Sequence, residues 1–245
     1  MPREPATKPA LPLALPLTQY RWHMHRAGEA LERAAAQFIL DSAMRAIVAR
    51  GVFHLVLAGG NTPRAVYARL RECVADWPAW RVYFGDERCL PPDSAERNSR
   101  MALDALFARV PLEQAHFHAI PAERGARVAA RDYAAVIKHV PTFDLVMLGL
   151  GEDGHTASLF PGADIGTATD APAVLAVEDA PKPPRERVSL SAARLSRARN
   201  VMFVVSGSSK RDAVRRWRRG DDLPAAHIAP PAGVDVLIDA GLLAR

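Results

Sequence analysis

Apolar and polar positions divide the chain into short apolar runs and longer segments in which apolar residues recur at helical spacing. The runs are bounded by Gly, Pro or Asp, as buried β-strands commonly are. The pattern predicts strands at residues 52–60, 81–88, 143–151, 174–177, 187–191, 200–207 and 234–240. Helices are predicted over residues 62–71, 98–109, 123–139 and 208–218. Thr62 is the predicted N-cap of the first helix, with Pro63 at its first position.

Strands that alternate with helices predict an α/β sandwich built on a mainly parallel sheet. Three predicted strands end in loops that combine glycine with polar residues, AGGNTP, GDER and GLGEDGH. Ligands of open parallel sheets bind beyond the carboxyl ends of the strands, so we expect these loops to meet at one site. Residues 20–245 contain no repeat and no linker and are expected to form a single domain. Residues 1–19 are expected to be a flexible, Pro-rich extension.

The composition is that of an ordinary globular protein, with 49% hydrophobic and 24% charged residues among 245. No apolar run approaches the ~18–20 residues that cross a bilayer, and Pro12 and Pro16 interrupt the apolar stretch where a secretory signal would need continuity. Cys73 and Cys89 stand alone, which favours a reducing cytoplasm. The net charge of +5 suits an enzyme for anionic metabolites. We interpret the cluster RRWRRG (215–220) as the solvated end of a helix and expect neither nucleic acid nor a membrane as a partner.

The segment GLGEDG (149–154) has the G-x-G-x-x-G spacing of a dinucleotide-binding loop and follows an apolar run. Three features argue against that interpretation. Pro161 and Gly162 interrupt the segment before a crossover helix can form. Glu152 and Asp153 would place like charge against a pyrophosphate. No acidic residue stands at the tip of a second strand ~20 positions later, so we expect this loop to carry out chemistry rather than to hold a cofactor.

Several separated blocks carry a resemblance to a known family: AGGNTPRAVYARL (58–70), YFGDERCLPPDSAERN (83–98), GEDGHTASLFPG (151–162), PKPPRERVSL (181–190) and SGSSK (206–210). Together and in this order they resemble the 6-phosphogluconolactonase family, within the glucosamine-6-phosphate isomerase/6-phosphogluconolactonase superfamily. The resemblance implies a Rossmann-like three-layer αβα sandwich and hydrolysis of 6-phospho-D-glucono-1,5-lactone, the second step of the oxidative pentose phosphate pathway. It implies no organic cofactor and no required metal. It also implies a functional link to glucose-6-phosphate dehydrogenase and leaves physical contact with that enzyme open.

Opening a lactone needs a base for the attacking water, and His155 is the expected base because an imidazole with a pKa near 6.5 is largely neutral at cellular pH. Asp153 is expected to orient this imidazole and to stabilise it when protonated. A covalent route is disfavoured because the chain has no G-x-S-x-G nucleophile elbow, and the resemblance gives Ser158 no nucleophilic role. The pairs His23–His25 and His116–His118 lack a further ligand, so no zinc site is expected.

The phosphate of such a substrate needs positive charge and backbone donors. The N–H groups and dipole at a helix N-terminus can hold an anion. The loop before the first predicted helix supplies such donors at Gly59, Gly60, Asn61 and Thr62. The family pattern points to Arg88 and Lys210 as cationic ligands, with Arg187 as a third candidate.

Asp86 and Glu87 can either bind sugar hydroxyls or fix Arg88 through ion pairs. We expect a supporting role for Asp86 at the substrate site and assign none to Glu87. Asn61 and Arg97 stand where the family pattern usually has Ser, which concerns the detail of binding rather than the reaction.

Two other functions stay open. A glucosamine-6-phosphate deaminase/isomerase also carries D-G-H, but its segment continues with an acidic residue used in ring opening, and residues 157–161 here contain no carboxylate. Its D-E-Y block is D-E-R in this chain. A non-catalytic sugar-phosphate-binding domain of a transcription regulator would need a DNA-binding module, which residues 1–19 are not expected to form.

Overall fold

The computed structural model describes residues 19–244, so the extension predicted over residues 1–19 lies outside the described residues apart from its last position. Within this range the chain forms nine β-strands and six α-helices. The strands are β1 (Tyr20–His25), β2 (Phe53–Leu57), β3 (Trp80–Phe84), β4 (Asp86–Arg88), β5 (Phe143–Leu148), β6 (Val174–Val177), β7 (Arg187–Leu190), β8 (Ala198–Val205) and β9 (Val234–Asp239). The helices are α1 (Glu29–Arg50), α2 (Asn61–Leu70), α3 (Asn98–Ala105), α4 (Ala126–Ile137), α5 (Ala192–Ser196) and α6 (Arg211–Arg219).

Six strands form one parallel sheet in the order β1–β9–β8–β5–β2–β3. Helices cover both sides of this sheet, so its central strands are buried on both faces. All six residues of β5 are buried, which explains why the strand is a continuous apolar run rather than an alternating one. The predicted α/β sandwich on a mainly parallel sheet is confirmed.

The strand order of the parallel sheet reverses between β2 and β5. The chain passes outward from β2 to β3 and then returns to the other side of β2 with β5. In open parallel sheets a crevice forms at such a reversal, beyond the carboxyl ends of the two strands. The loops that follow β2 and β5 therefore border the position where a ligand is expected.

A second, antiparallel sheet has the order β4–β7–β6. The single strand predicted over residues 81–88 was wrong, because Gly85 separates two strands that belong to different sheets. The N–H of Gly85 donates to the Leu57 carbonyl of the main sheet, whereas the Gly85 carbonyl accepts from the N–H of Leu190 in the small sheet. The small sheet thus begins directly at the carboxyl edge of the large one.

Other predictions differ from the structure in detail. Helix α2 begins at Asn61 and has Gly60 as its N-cap, so the prediction of Thr62 as N-cap was wrong. Strand β1 and helix α1 have no counterpart among the predicted elements. Helix α1 has apolar residues around most of its circumference, including Met44 and Val48 with exposed fractions of 60% and 84%. Its helical period is therefore weak. Among the described residues no helix has the length and apolar character to cross a membrane.

Candidate active site

A cleft of about 560 Å³ opens at the carboxyl edge of the main sheet, where the strand order reverses. Its walls come from the loops after β2, β5 and β8 and from strands β4 and β7 of the small sheet. The predicted site residues that line it are Gly59, Gly60, Asn61, Thr62, Asp86, Arg88, His155, Arg187 and Lys210. The structure therefore brings the three loops together, while the role of each residue stays a prediction.

The loop after β5 turns the chain sharply and positions the His155 ring. The N–H of Gly151 donates to the carbonyl of His155 at 2.7 Å, and the N–H of Gly154 donates to the carbonyl of Gly151 at 3.1 Å. A Cβ atom on Gly151 would lie 2.1 Å from His155 Nδ1, so only glycine leaves room for the imidazole. The next regular element after this loop is strand β6, not a helix. The loop thus lacks the helix on whose N-terminus a dinucleotide pyrophosphate would lie.

Asp153 does not line the cleft but contacts the imidazole of His155. Nδ1 of His155 lies 2.5 Å from Asp153 Oδ1, and the backbone N–H of His155 donates to the same oxygen at 3.2 Å. Because a carboxylate only accepts hydrogen bonds, Nδ1 carries the proton and Nε2 is the basic nitrogen.

Burial and neighbouring charges together set the protonation state of His155 and Asp153. Burial lowers the pKa of His155, although the negative charge of Asp153 and, less strongly, of Asp86 opposes the shift. Burial alone would raise the pKa of Asp153, but the charge and hydrogen bonds of His155 outweigh it and hold that pKa below its usual range. The pair is therefore a neutral imidazole beside an ionised carboxylate at neutral pH, which is the state that a general base requires.

The loop between β2 and α2 presents the N-terminus of a ten-residue helix to the cleft. Gly60 caps this helix and, as a glycine, offers no side-chain acceptor to the N–H groups of the first turn. A Cβ atom on Gly59 would lie 1.9 Å from Asn98 Oδ1, so the loop packs directly against the Asn98 amide. Backbone donors and the helix dipole together favour an anion at this edge of the cleft.

Strands β4 and β7 present two arginines to the same cleft. Side chains alternate along a strand, so Asp86 and Arg88 share one face of the small sheet, and Glu87 points to the other. Arg187 on β7 lies directly opposite Arg88 in the antiparallel register. Like charges in this position repel each other, so an anion between the two guanidinium groups would relieve the repulsion.

The guanidinium of Arg88 donates from Nη1 to the carbonyl of Glu96, and its buried Nε has no hydrogen-bond partner within the described chain. The Arg187 guanidinium donates from Nε and Nη2 to backbone carbonyls of residues 182–184. Burial lowers the pKa of Arg187 from its ordinary value, and Asp86 opposes this shift. Each guanidinium thus has only part of its donors satisfied by the protein.

Lys210 lies across the cleft at the N-terminus of α6. Burial lowers the pKa of its ammonium group. The negative charge of Glu152 opposes this shift, and the positive charge of Lys182 reinforces it. Lys182 itself forms an ion pair with Glu152. Three basic side chains of the family pattern, Arg88, Arg187 and Lys210, therefore line one cleft together with a helix N-terminus.

Asp86 takes part in a polar network that the sequence did not reveal. Its Oδ2 accepts from the Ser158 hydroxyl at 2.6 Å, and its Oδ1 accepts from Asn98 Nδ2 at 3.0 Å. The proposed ion pair between Asp86 and Arg88 is not present in the described structure. The cleft is also lined by residues to which sequence analysis gave no role, such as Thr156, Ser206 and Ser209. Asn98 and Ser158, the two partners of Asp86, were missed as well. The only signal for either was its place inside the D-E-R and D-G-H blocks.

Glu87 has a structural position, away from the cleft. Its carboxylate is fully buried and accepts hydrogen bonds from the backbone N–H groups of Asn98 and Ser99, at 2.7 and 2.8 Å. It also accepts from the Ser99 hydroxyl at 2.6 Å. Glu87 therefore caps the N-terminus of α3, with Arg97 Nε at 3.5 Å as a cationic neighbour. Glu87 does not line the cleft, and within residues 19–244 its ion-pair partner is Arg97 rather than Arg88.

The two H-x-H pairs have ordinary protein partners. His23 Nε2 lies 2.8 Å from Asp235, and His118 stacks on Tyr83 with ring centroids 4.6 Å apart. Within residues 19–244 no three His, Cys, Asp or Glu side chains are close enough together to hold a metal ion. The expectation that the reaction needs no metal stays a prediction.

The fold and the cleft define a class of protein: an α/β protein with a histidine–carboxylate pair beside a crevice lined by cationic side chains, at the switch point of its sheet. Residues 26–237 match the model of the glucosamine-6-phosphate isomerase/6-phosphogluconolactonase family. The chain therefore belongs to this family.

Similarity to individual proteins agrees with the family match. The chain is 35% identical over 227 residues to the 6-phosphogluconolactonase of Streptomyces coelicolor, covering 85% of each protein. It is 32% identical to the chloroplastic 6-phosphogluconolactonase 3 of Arabidopsis thaliana, covering 81% of this chain but 64% of that protein's length. Its fold is similar to the solved structure of the 6-phosphogluconolactonase from Trypanosoma brucei, with a TM-score of 0.80, 27% identity and coverage of 92% and 98% of the two chains.

Proposed function

We propose that the chain hydrolyses 6-phospho-D-glucono-1,5-lactone to 6-phospho-D-gluconate, with His155 as the general base. The observation that carries the proposal is the His155–Asp153 pair at 2.5 Å, placed in the same cleft as Arg88, Arg187 and Lys210. A base and an anion receptor in one crevice suit a substrate that carries both a reactive carbonyl and a phosphate. Curated relatives that bear the name 6-phosphogluconolactonase support the choice of this lactone.

The chemistry follows from the geometry of the pair. The oxygen of a water molecule attacks C1 of the lactone while Nε2 of His155 takes one proton, and the C1 carbonyl becomes an oxyanion. The negative charge of Asp153 stabilises the imidazolium that forms. When the tetrahedral intermediate collapses, the bond between C1 and the ring oxygen breaks, and the imidazolium returns the proton to that oxygen. The products are a free hydroxyl on the opened chain and a carboxylic acid, which releases the second proton of the water to solvent and becomes the carboxylate.

Binding of the phosphate group positions the substrate in the cleft. We assign it to Arg88, Lys210 and the N–H groups of Gly60 and Asn61 at the start of α2, with Arg187 as a further cation. Charge-assisted hydrogen bonds at one end of the substrate fix the distance between C1 and Nε2 at the other. Such positioning lowers the barrier of the chemical step as well as the dissociation constant.

The deaminase/isomerase alternative finds less support in the site. The segment after His155 offers Ser158 and Phe160 rather than a carboxylate, and the Ser158 hydroxyl is already bound to Asp86. The non-catalytic alternative is disfavoured because His155 and Asp153 are both present and paired. We also propose the functional link to glucose-6-phosphate dehydrogenase and a cytoplasmic location, the latter from the isolated cysteines, whereas the Arabidopsis and rice relatives are named chloroplastic.

The proposal is tested with the purified chain, in EDTA and without a nicotinamide cofactor, on freshly prepared 6-phosphogluconolactone corrected for spontaneous opening. Unphosphorylated gluconolactone and glucosamine 6-phosphate are measured alongside. We expect rapid opening of the phosphorylated lactone, slow opening of gluconolactone and no release of ammonia. Activity that appears only with glucosamine 6-phosphate, or only after zinc is added, would overturn the proposal.

A further inference from the structure

The face of the small sheet that borders the cleft combines one carboxylate with two arginines. Asp86 and Arg88 lie two residues apart on β4 and share this face, and Arg187 stands opposite Arg88 on β7. Diagonal neighbours on one face of an antiparallel pair lie within reach of long side chains. Asp86 is therefore placed where it can neutralise either guanidinium.

In the structure Asp86 forms an ion pair with neither arginine within residues 19–244. Its two oxygens are instead occupied by neutral donors, the Ser158 hydroxyl at 2.6 Å and the Asn98 amide at 3.0 Å. Asp86 has an exposed fraction of 6% and Ser158 of 1%, so water competes little for these hydrogen bonds. The buried Nε of Arg88 meanwhile has no hydrogen-bond partner among the described residues.

The turn that places Ser158 shows that its position is strongly constrained. Ala157, which precedes it, has a φ of +48°, the one positive value outside glycine in the described chain. A non-glycine residue adopts this conformation only where its surroundings hold it. The Ser158 N–H also donates to the Ser189 hydroxyl at 3.3 Å, and Ser189 stands opposite Asp86 on β7. The turn of residues 155–158 thus places the Ser158 hydroxyl against the Asp86 carboxylate, 72 residues earlier in the chain.

We propose that Ser158 is a positioning residue that holds the Asp86 carboxylate off Arg88 and Arg187, so that both guanidinium groups stay available to the phosphate of the substrate. This inference rests on the proposed function of the cleft, and it gives Ser158 no contact with the reacting atoms. Without the hydroxyl, Asp86 loses the one hydrogen-bond partner that its Oδ2 has among residues 19–244, and the carboxylate turns to the nearest cation. The carboxylate then competes with the phosphate for the same donors.

A double-mutant cycle tests this inference. The variants are Ser158→Ala, Asp86→Asn and the combination of both, with Ser42→Ala as a matched buried serine whose hydroxyl donates only within its own helix α1. Binding of the product 6-phospho-D-gluconate is measured by calorimetry, KM and kcat by lactone hydrolysis, and the thermal midpoint by circular dichroism. We expect Ser158→Ala to raise both the product Kd and the KM for the phosphorylated lactone about tenfold, the scale of one charge-assisted hydrogen bond. In the Asp86→Asn background the same substitution should change both quantities little, because a neutral amide competes far less than a carboxylate for a guanidinium.

A merely structural role for Ser158 gives a different result. It would weaken binding equally in both backgrounds, and this outcome, or unchanged binding in Ser158→Ala, would overturn the proposal. If Ser158→Ala does not fold, Ser158→Cys supplies only a weak donor and is measured in the same way. The proposed function fails separately. If the wild type does not open the lactone, while the variants show the expected coupling in 6-phospho-D-gluconate binding, the proposed activity is wrong and the role of Ser158 stands.

Discussion

Replacement of Gly151 by alanine tests whether the position of the imidazole limits the reaction. The added Cβ would lie 2.1 Å from Nδ1 and 2.2 Å from Cε1 of His155, whereas ordinary contacts of a Cβ atom begin at 3.4 Å. The ring must therefore move by about 1 Å or more, and the hydrogen bond of 2.5 Å between Nδ1 and Asp153 must lengthen or break. Misplacement of a reacting group by 1 Å costs on the order of a hundredfold in rate. We expect Gly151→Ala to lower kcat by about that factor.

The assay separates this effect from a loss of binding or of folding. The proposed phosphate ligands lie on other segments, so the dissociation constant of 6-phospho-D-gluconate should stay near that of the wild type. Gly85→Ala serves as the control, because a Cβ there would make only ordinary contacts, the nearest at 3.5 Å to the Leu57 carbonyl. The control should retain nearly full activity. If Gly151→Ala retains kcat within about threefold of the wild type while folded, the reasoning about His155 is refuted.

Three further predictions concern binding, stability and pH. Arg88→Ala and Lys210→Ala should each lower kcat/KM for the phosphorylated lactone by about ten- to a hundredfold and leave activity on plain gluconolactone nearly unchanged; equal losses on both lactones would place the phosphate elsewhere. Glu87→Gln should lower the free energy of unfolding by about 2 kcal/mol or more, because it removes a charged acceptor from the start of α3, and a denaturant midpoint equal to that of the wild type would contradict this. Burial lowers the pKa of His54 and His118 below the ordinary 6.5, so the unfolded chain takes up protons at a higher pH than the folded one, and stability should fall as the pH drops below about 6.5. The free energy of unfolding, measured at pH 7.5 and 5.5, should therefore fall less in a variant with Gln at both positions than in the wild type; an equal fall in both proteins would contradict this.

The central strands of the parallel sheet were predictable because burial on both faces leaves a continuous apolar run, whereas the half-exposed edge strand β1 was missed. The prediction of residues 143–151 contained Phe143–Leu148, and that of residues 234–240 contained Val234–Asp239. The convergence of three loops on one cleft followed from the rule that carboxyl ends of parallel strands share an edge. Two strands of the small sheet, β6 and β7, were predicted at residues 174–177 and 187–191. Their pairing with β4 was not, since β4 has only three residues and its partner β7 lies far along the chain.

Long-range contacts also explain what the sequence could not predict in the site. Glu87 was left without a role, and only the fold shows that the start of α3 lies over its carboxylate. Ser158 was set aside as a nucleophile, and its bond to Asp86 depends on the turn at Ala157. Such contacts join residues whose separation along the chain follows no helical or strand period, so the sequence does not predict them. The pair of His155 and Asp153, two residues apart in one loop, was predictable for the opposite reason.

The most direct test of the central claim is the rate at which His155→Ala opens freshly prepared 6-phosphogluconolactone, corrected for spontaneous opening. General-base catalysis contributes at least about a hundredfold, so we predict that kcat falls by this factor or more. The variant should keep the thermal midpoint of the wild type and its affinity for 6-phospho-D-gluconate, because the imidazole is not among the proposed phosphate ligands. A folded His155→Ala protein that retains more than about half of the wild-type kcat would show that His155 is not the base.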